Sequence, residues 1–189
     1  MSQTKISLII LAVLIIGFAL LGVYFFQQTE KQANQNQAAN QNQLIVSNFE
    51  ECVVAGYPVL ESYPRQCQAD GRIFTEYIGN ELEKMDLIKV NKPRPNQQIT
   101  SPLTIAGEAR GSWFFEADFP VKLYDANDNL IGTAIAQAQD DWMTEDFVPF
   151  VAELEFEKPE TNEGTLILEK DNPSGLPKNA DQLIIPIEF

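Results

Sequence analysis

LTIAGEARGSWFFEADFPVKLYDANDNLIGTAIAQAQDDWMTEDFVPFVAELEF, residues 103–156, is the stretch whose reading decides the fold. Leu103, Ile105 and Gly107 alternate with Thr104, Ala106 and Glu108. Val148, Phe150, Ala152, Leu154 and Phe156 alternate with Pro149, Val151, Glu153 and Glu155. A period of two with one apolar face specifies half-buried strands, not helices. Between them Val121 and Leu123 face one way. Asp125-Ala126-Asn127-Asp128-Asn129 then makes a polar turn into a strand over Leu130–Ala138. Downstream, Leu183, Ile185, Ile187 and Phe189 alternate again, with Pro186 restricting that strand to an edge. Upstream, Ile88–Val90 begins the pattern, and Pro93, Pro95 and Pro102 break the run to Leu103. Such spacing suits an edge strand that is interrupted and passes to a second sheet. The expectation for residues 88–189 is therefore an all-β sandwich of about seven strands.

Everything before this domain reads as a device for holding it outside a membrane. Ile6–Phe26 is 21 residues without a charge. As a helix it would span roughly 31 Å, enough for a hydrocarbon core of about 30 Å. A cleaved signal peptide has a shorter apolar region and small residues at its end. Here the run closes on Val23-Tyr24-Phe25-Phe26, so an uncleaved anchor is expected. Lys5 precedes the run, whereas Glu30 and Lys31 cancel after it. The positive-inside tendency then puts the N-terminus in the cytoplasm and the rest outside the cell membrane. Gln27–Gln43, with eleven Gln or Asn in seventeen residues, reads as a tether too polar to pack.

The 189 residues carry a formal charge of −14 and no histidine. Lys5, Glu30 and Lys31 are the only charges before residue 50 and sum to +1, which leaves −15 for the remainder. That field repels phosphate backbones, so nucleic acid is not an expected partner. Without histidine the commonest general base and metal ligand are missing. No catalysis and no cofactor are expected.

Cys52 and Cys67, the two cysteines of the chain, lie in LIVSNFEECVVAGYPVLESYPRQCQADGRIFTEYIG, residues 44–79. On the outer side of a membrane a pair at this spacing is most simply a disulfide. Ala69-Asp70-Gly71-Arg72 supplies a turn, with a short strand over Arg72–Ile78, and Asn80–Met85 is a polar connector. The organisation expected is 1–26 stub and transmembrane helix, 27–43 linker, 44–79 disulfide-bonded segment, 80–87 connector and 88–189 sandwich. The segment's Ala55, Gly56, Pro58, Val59, Glu61, Ser62, Tyr63, Pro64, Gln66, Asp70 and Gly71, placed around Cys52 and Cys67, resemble a two-cysteine module of bacterial envelope proteins. That resemblance implies an extracytoplasmic, disulfide-bonded segment and no activity.

Further on, the run through Pro93, Ser101-Pro102-Leu103, Gly107, Ala109, Trp113, Phe115-Glu116, Phe119, Val121, Leu123 and Asp125 has a recognisable order. It continues through Trp142-Met143-Thr144, Pro149-Phe150, Leu154-Glu155-Phe156, Leu166 and Leu168. Residues 88–189 resemble the immunoglobulin-like domain of bacterial spore-germination proteins, the Gmad type. The departure is Asn129, where that pattern has a glycine. The resemblance implies an immunoglobulin-like β-sandwich that acts by binding, with another envelope protein or a cell-wall component as partner.

Candidate contact residues are aromatics that a sandwich leaves outside: Trp113, Phe114 and Trp142, beside the acidic Asp140, Asp141, Glu145 and Asp146. Core or intersheet packing is the favoured reading for any one of them, and where neighbours such as Phe114 and Phe115 point to opposite faces, one of the two is left outside. Asp125, Asn127 and Asp128 bring oxygens together as calcium ligands would, but without the later glutamate and central glycine of an EF-hand loop, so a hairpin turn is the leading reading. An accessory domain binding calcium or a wall glycan is thus the alternative function. A protease-inhibitor-like loop at Tyr63-Pro64-Arg65 is a lesser one.

Overall fold

The computed structural model describes residues 45–189, together with Gly22, Gln27 and Gln28. The expected anchor and tether thus lie outside the described residues, apart from these three. Among the described residues no helix is long and apolar enough to cross a membrane. The chain divides into two compact units, Met1–Gly56 and Tyr57–Phe189.

In the first unit a short helix, α1 (Phe49–Val54), starts at Asn48, whose side chain accepts the Glu51 N–H. Glu51 reaches back in turn to the Ser47 N–H and hydroxyl, at 2.8 and 2.7 Å. These bonds hold its carboxyl below the ordinary glutamate range. This is a variant of the capping box in which Glu51 returns to Ser47, one residue before the cap Asn48, and Ser47-Asn48 followed by Glu51 is its signature in the sequence. The sequence reading placed no helix there. Cys52 and Cys67 are disulfide-bonded, as expected, and no described cysteine is free.

The second unit begins with a three-stranded sheet, β1 (Val59–Leu60), β2 (Gln66–Ala69) and β3 (Arg72–Thr75). Asp70 and Gly71 join β2 to β3 with φ of 51° and 76°, so the turn falls where it was expected. The strand after it is shorter than predicted: the Glu76 N–H still donates to Arg65 O (2.9 Å), but the Arg65 N–H turns to the Glu76 side chain (3.3 Å) and the ladder ends there. One further helical turn, α2 (Glu81–Lys84), occupies the connector.

Eight strands follow: β4 (Ile88–Lys92), β5 (Gln97–Gln98), β6 (Leu103–Arg110), β7 (Asp118–Asp125), β8 (Leu130–Ala138), β9 (Phe147–Leu154), β10 (Glu163–Glu169) and β11 (Gln182–Glu188). They form one sheet in the order β4-β6-β9-β8-β7-β10-β11-β5. The sheet folds over itself at β8, which pairs with β7 along most of its length and with β9 only at Gln137 and Ala138. The result is sandwich-like. Inner-face residues of β4, β6 and β9 share a single core with those of β7, β10 and β11. Phe119 on β7 meets Phe150 on β9 edge-on at 4.9 Å between ring centres, which locks one layer to the other. The interrupted edge is also as expected: β4 pairs with β6, and after the prolines β5 pairs with β11 at the far end of the order.

Beyond β5's pairing with its last residues, the edge of β11 is closed by side chains. Asn80 Oδ1 accepts the Ile184 N–H (2.7 Å), its Nδ2 donates to Gln182 O (3.0 Å), and its N–H reaches Ile184 O (3.3 Å). One asparagine thus stands in for a strand. The disulfide-bearing region is tied to the sandwich by two buried carboxylates. Glu76 accepts from Arg65 and from Asn96 Nδ2 (3.1 Å), and Glu81 accepts from Arg94 (2.9 Å) and from the Tyr63 hydroxyl. Burial, then that bond, push the Tyr63 phenol well above its usual value.

Candidate partner surface at one end of the sandwich

The ends of β6, β8 and β10 and the starts of β7, β9 and β11 bring three loops to one end, residues 111–117, 139–146 and 170–181. Local physics fixes each loop. Arg110, the last residue of β6, donates to Asp86 O (3.0 Å) and Glu145 O (3.1 Å) and lies 4.0 Å over the Phe147 ring. Lys89 Nζ sits at 4.0 Å from the same ring. Gly111 follows, and a Cβ there would stand 2.0 Å from Thr144 O and 2.2 Å from Trp142 O. Only glycine lets the 139–146 loop lie against β6. The third loop is joined through the Asp171 N–H, which donates to Trp113 O at 3.0 Å.

Trp113 and Phe114, expected as contact residues, are core residues instead, 1% and 4% exposed. The short 3-10 turn Gly111–Trp113 directs them inward, and Phe114 packs on Phe119 at 5.2 Å. Trp113 Nε1 is buried there with no hydrogen-bond partner among the described residues. The aromatic left outside is the neighbour, Phe115, 41% exposed. It opens a two-residue turn, with Phe115 N–H to Asp118 O at 3.0 Å, whose centre, Glu116 and Ala117, has φ of 53° and 68°. Two non-glycine residues in the left-handed region are strained. Ala117→Gly is expected to raise stability by about 1 kcal/mol in chemical denaturation, by removing the Cβ clash.

Trp142 is half-buried and packs against the core. The next residue, Met143, is turned out and is 76% exposed. Its N–H donates to Asp141 Oδ1 (3.0 Å), while the Asp141 N–H donates to Asp140 Oδ1 (2.8 Å). These carboxylates shape the loop as local turns do. Met143 is not among the expected contact residues, and Phe115 enters only as the neighbour of Phe114, one of the two being expected outside. Inward Trp113-Phe114 beside outward Phe115 does not follow strand alternation, so periodicity carried no signal for it.

Asp125, Asn127 and Asp128 sit at the opposite end of the sandwich, in the β7–β8 turn. Asp125 is buried. Its Oδ1 accepts the Asn127 and Asn129 N–H groups and its Oδ2 accepts Asn129 Nδ2, each at 2.9 Å. The Asn129 side chain first, then these N–H groups, hold its carboxyl below the usual aspartate range. Both oxygens are therefore committed to the turn. The left-handed residue is Asp128, with φ of 61°, so Asn129 is needed for its amide where the family pattern has glycine. Among the described residues no group of three or more His, Cys, Asp or Glu is placed to hold a metal.

Residues 87–175 match the model of the Gmad2 family, the immunoglobulin-like domain of bacterial spore germination. The match stops short of β11, which closes the sheet here. Comparison with curated proteins and with solved structures finds no match.

Proposed function

Taking residues 87–175 as a Gmad2 immunoglobulin-like domain, we propose that this chain is a binding or scaffolding protein. Its N-terminal segment holds it on a cell membrane, and its loop end meets another envelope protein outside. The observation that carries this reading is the exposure of Met143 and Phe115, beside half-buried Trp142, on two loops that packing at Gly111 brings together. Exposed apolar side chains rimmed by carboxylates, here Asp140, Asp141 and Glu145, are what a partner buries in an interface core. The uncharged Ile6–Phe26 run and the disulfide, which persists in oxidising compartments, support the location.

The partner is tested by placing a photo-crosslinking residue at position 139 of the full chain in its native membranes. The double variant Met143→Asp, Phe115→Asp is expected to lower the yield of the specific adduct at least tenfold. Burying one such side chain is worth about 1.5–3 kcal/mol, and tenfold is about 1.4. Unfolding of that variant should stay within about 0.5 kcal/mol of the parent, since both positions are exposed. An unchanged adduct would place binding elsewhere. Location is tested separately: because Cys52 and Cys67 are buried, a cysteine is placed at the exposed position 157 (Glu157→Cys), and an impermeant maleimide applied to intact cells should label it.

A further inference from the structure

Among the described residues, part of the outer edge of β8 has neither a pairing strand nor a charge on it. β4, at one end of the order, carries Lys89 and Lys92, and charged side chains of this kind deter added strands. At the other end β11 is covered by β5, Asn80 and Asn96, whose N–H donates to Pro186 O at 2.8 Å. β8 has none of these protections: from Leu130 to Ala138 it contains no charge and no proline. Leu130 and Ile135 are each 51% exposed, and Thr133 is exposed with them.

The hydrogen-bond phase identifies which groups are open. The Ala138 N–H donates to Ala117 O at 2.8 Å, so this pair is a bonded one in the β7–β8 ladder. Bonded and non-bonded pairs alternate along an antiparallel ladder. Gln137, Ile135 and Thr133, opposite Asp118, Pro120 and Lys122, therefore turn their N–H and C=O groups away from β7. Pro120, which has no N–H to give, fits its non-bonded place. Gln137 meets Val151 of β9, and the Gln139 N–H continues the same phase to Pro149 O at 2.8 Å. There β9 diverges into the other layer. Its end, Leu154 with Glu155 and Phe156, passes behind Gly132 on the inner side. Thr133 and Ile135 have no described strand beyond them.

We propose that the outer edge of β8 accepts an extended, basic segment of another protein as an added strand of the sheet. Backbone groups of Thr133 and Ile135 would supply the ladder, with Ile135 and Leu130 in contact with alternate side chains of the incoming segment. The charge of that segment follows from the surroundings. Asp128 before the strand, Asp140 and Asp141 after it, and Glu153 and Glu155 on the diverging end of β9 are all exposed carboxylates. A second copy of this chain would bring like charges together at both ends of β8. A basic strand neutralises them. This inference does not depend on the loop-end surface.

The test is amide hydrogen exchange on the full chain in detergent micelles, with a synthetic peptide that alternates lysine with valine and threonine as probe. In the free chain the amides of Thr133 and Ile135 should exchange at near-unprotected rates, while those of Ala134 and Ala136 are protected. Millimolar peptide should slow Thr133 and Ile135 at least tenfold, and a version with glutamate for lysine should not. Ile135→Pro removes the outward N–H and the apolar side chain and fixes φ, leaving the Thr133 amide as the readout, and Ile135→Lys adds an edge charge without touching the backbone. Both should abolish the slowing with Ala134 still protected. Protection of Thr133 and Ile135 in the dilute free chain would overturn the proposal. So would protection that grows with the chain's own concentration, equal action of the glutamate peptide, or no effect of the lysine peptide.

Discussion

Phe119→Ala is expected to destabilise the sandwich by about 3–5 kcal/mol, the largest effect of any single truncation considered for this chain. Phe119 is fully buried and is the middle ring of three, with Phe114 at 5.2 Å and Phe150 at 4.9 Å. Removing it leaves a hole between the two layers that strands fixed by ladders on both sides collapse into only in part. Against a total stability on the order of 5–15 kcal/mol this is a large fraction. Denaturant unfolding of the full chain measures it. Phe115→Ala, four residues away and 41% exposed, is the control and should change stability by less than about 0.5 kcal/mol. A loss below about 1 kcal/mol for Phe119→Ala would mean that the layers are not held by this cluster.

Glu76→Gln is the second large effect, on the order of 2 kcal/mol at neutral pH, because it removes charge-assisted bonds from a carboxylate that is mostly shielded from water. The Glu76 side chain is 7% exposed, against 44% for its partner Arg65, so the arginine recovers hydration while the tie itself is lost. The Arg65 guanidinium first, then Asn96 and the Arg65 N–H, hold the Glu76 carboxyl below the ordinary glutamate range. A carboxyl depressed by folding stabilises the folded state fully above its unfolded value, about pH 4.3. That contribution fades as pH falls through the lower folded value. The parent and Glu76→Gln should therefore differ most above about pH 5 and converge in acid. A difference independent of pH would assign the loss to altered packing and not to the charge.

The sandwich was legible because its strands obey a simple period. β6, β7, β9 and β11 each alternate buried residues with half-buried or exposed ones from end to end, and the Asp125–Asn129 turn joins β7 to β8 as read. The prolines at 93, 95 and 102 likewise announced an edge that crosses from β4 to β5. Local capping signals were present and overlooked. Ser47, Asn48 and Glu51 form a variant of the capping box ahead of α1, but a helix of 6 residues gives too few turns for a period to register. The contact residues failed for a different reason. Between Arg110 and Asp118 the chain is neither strand nor α-helix, so nothing in the order Trp113-Phe114-Phe115 says which rings point inward. The strained Glu116-Ala117 turn and the Gly111 contact settle it, and the second depends on Trp142 and Thr144, distant in sequence.

By itself the sequence determined which segments become strands, where the chain turns, and that two cysteines of a small, weakly cored segment would pair. These follow from side-chain periodicity, from turn chemistry and from the geometry open to each residue type. Only the tertiary structure decided that Phe115 and Met143, in place of Trp113 and Phe114, face solvent. It alone decided that Asp125 spends both oxygens on its own turn, that Asn80 seals β11, and that β8 keeps two residues of unpaired edge. Each of these is a question of what stands next to a group once distant strands have met, and hydrogen bonds and burial between distant residues have no period along the chain.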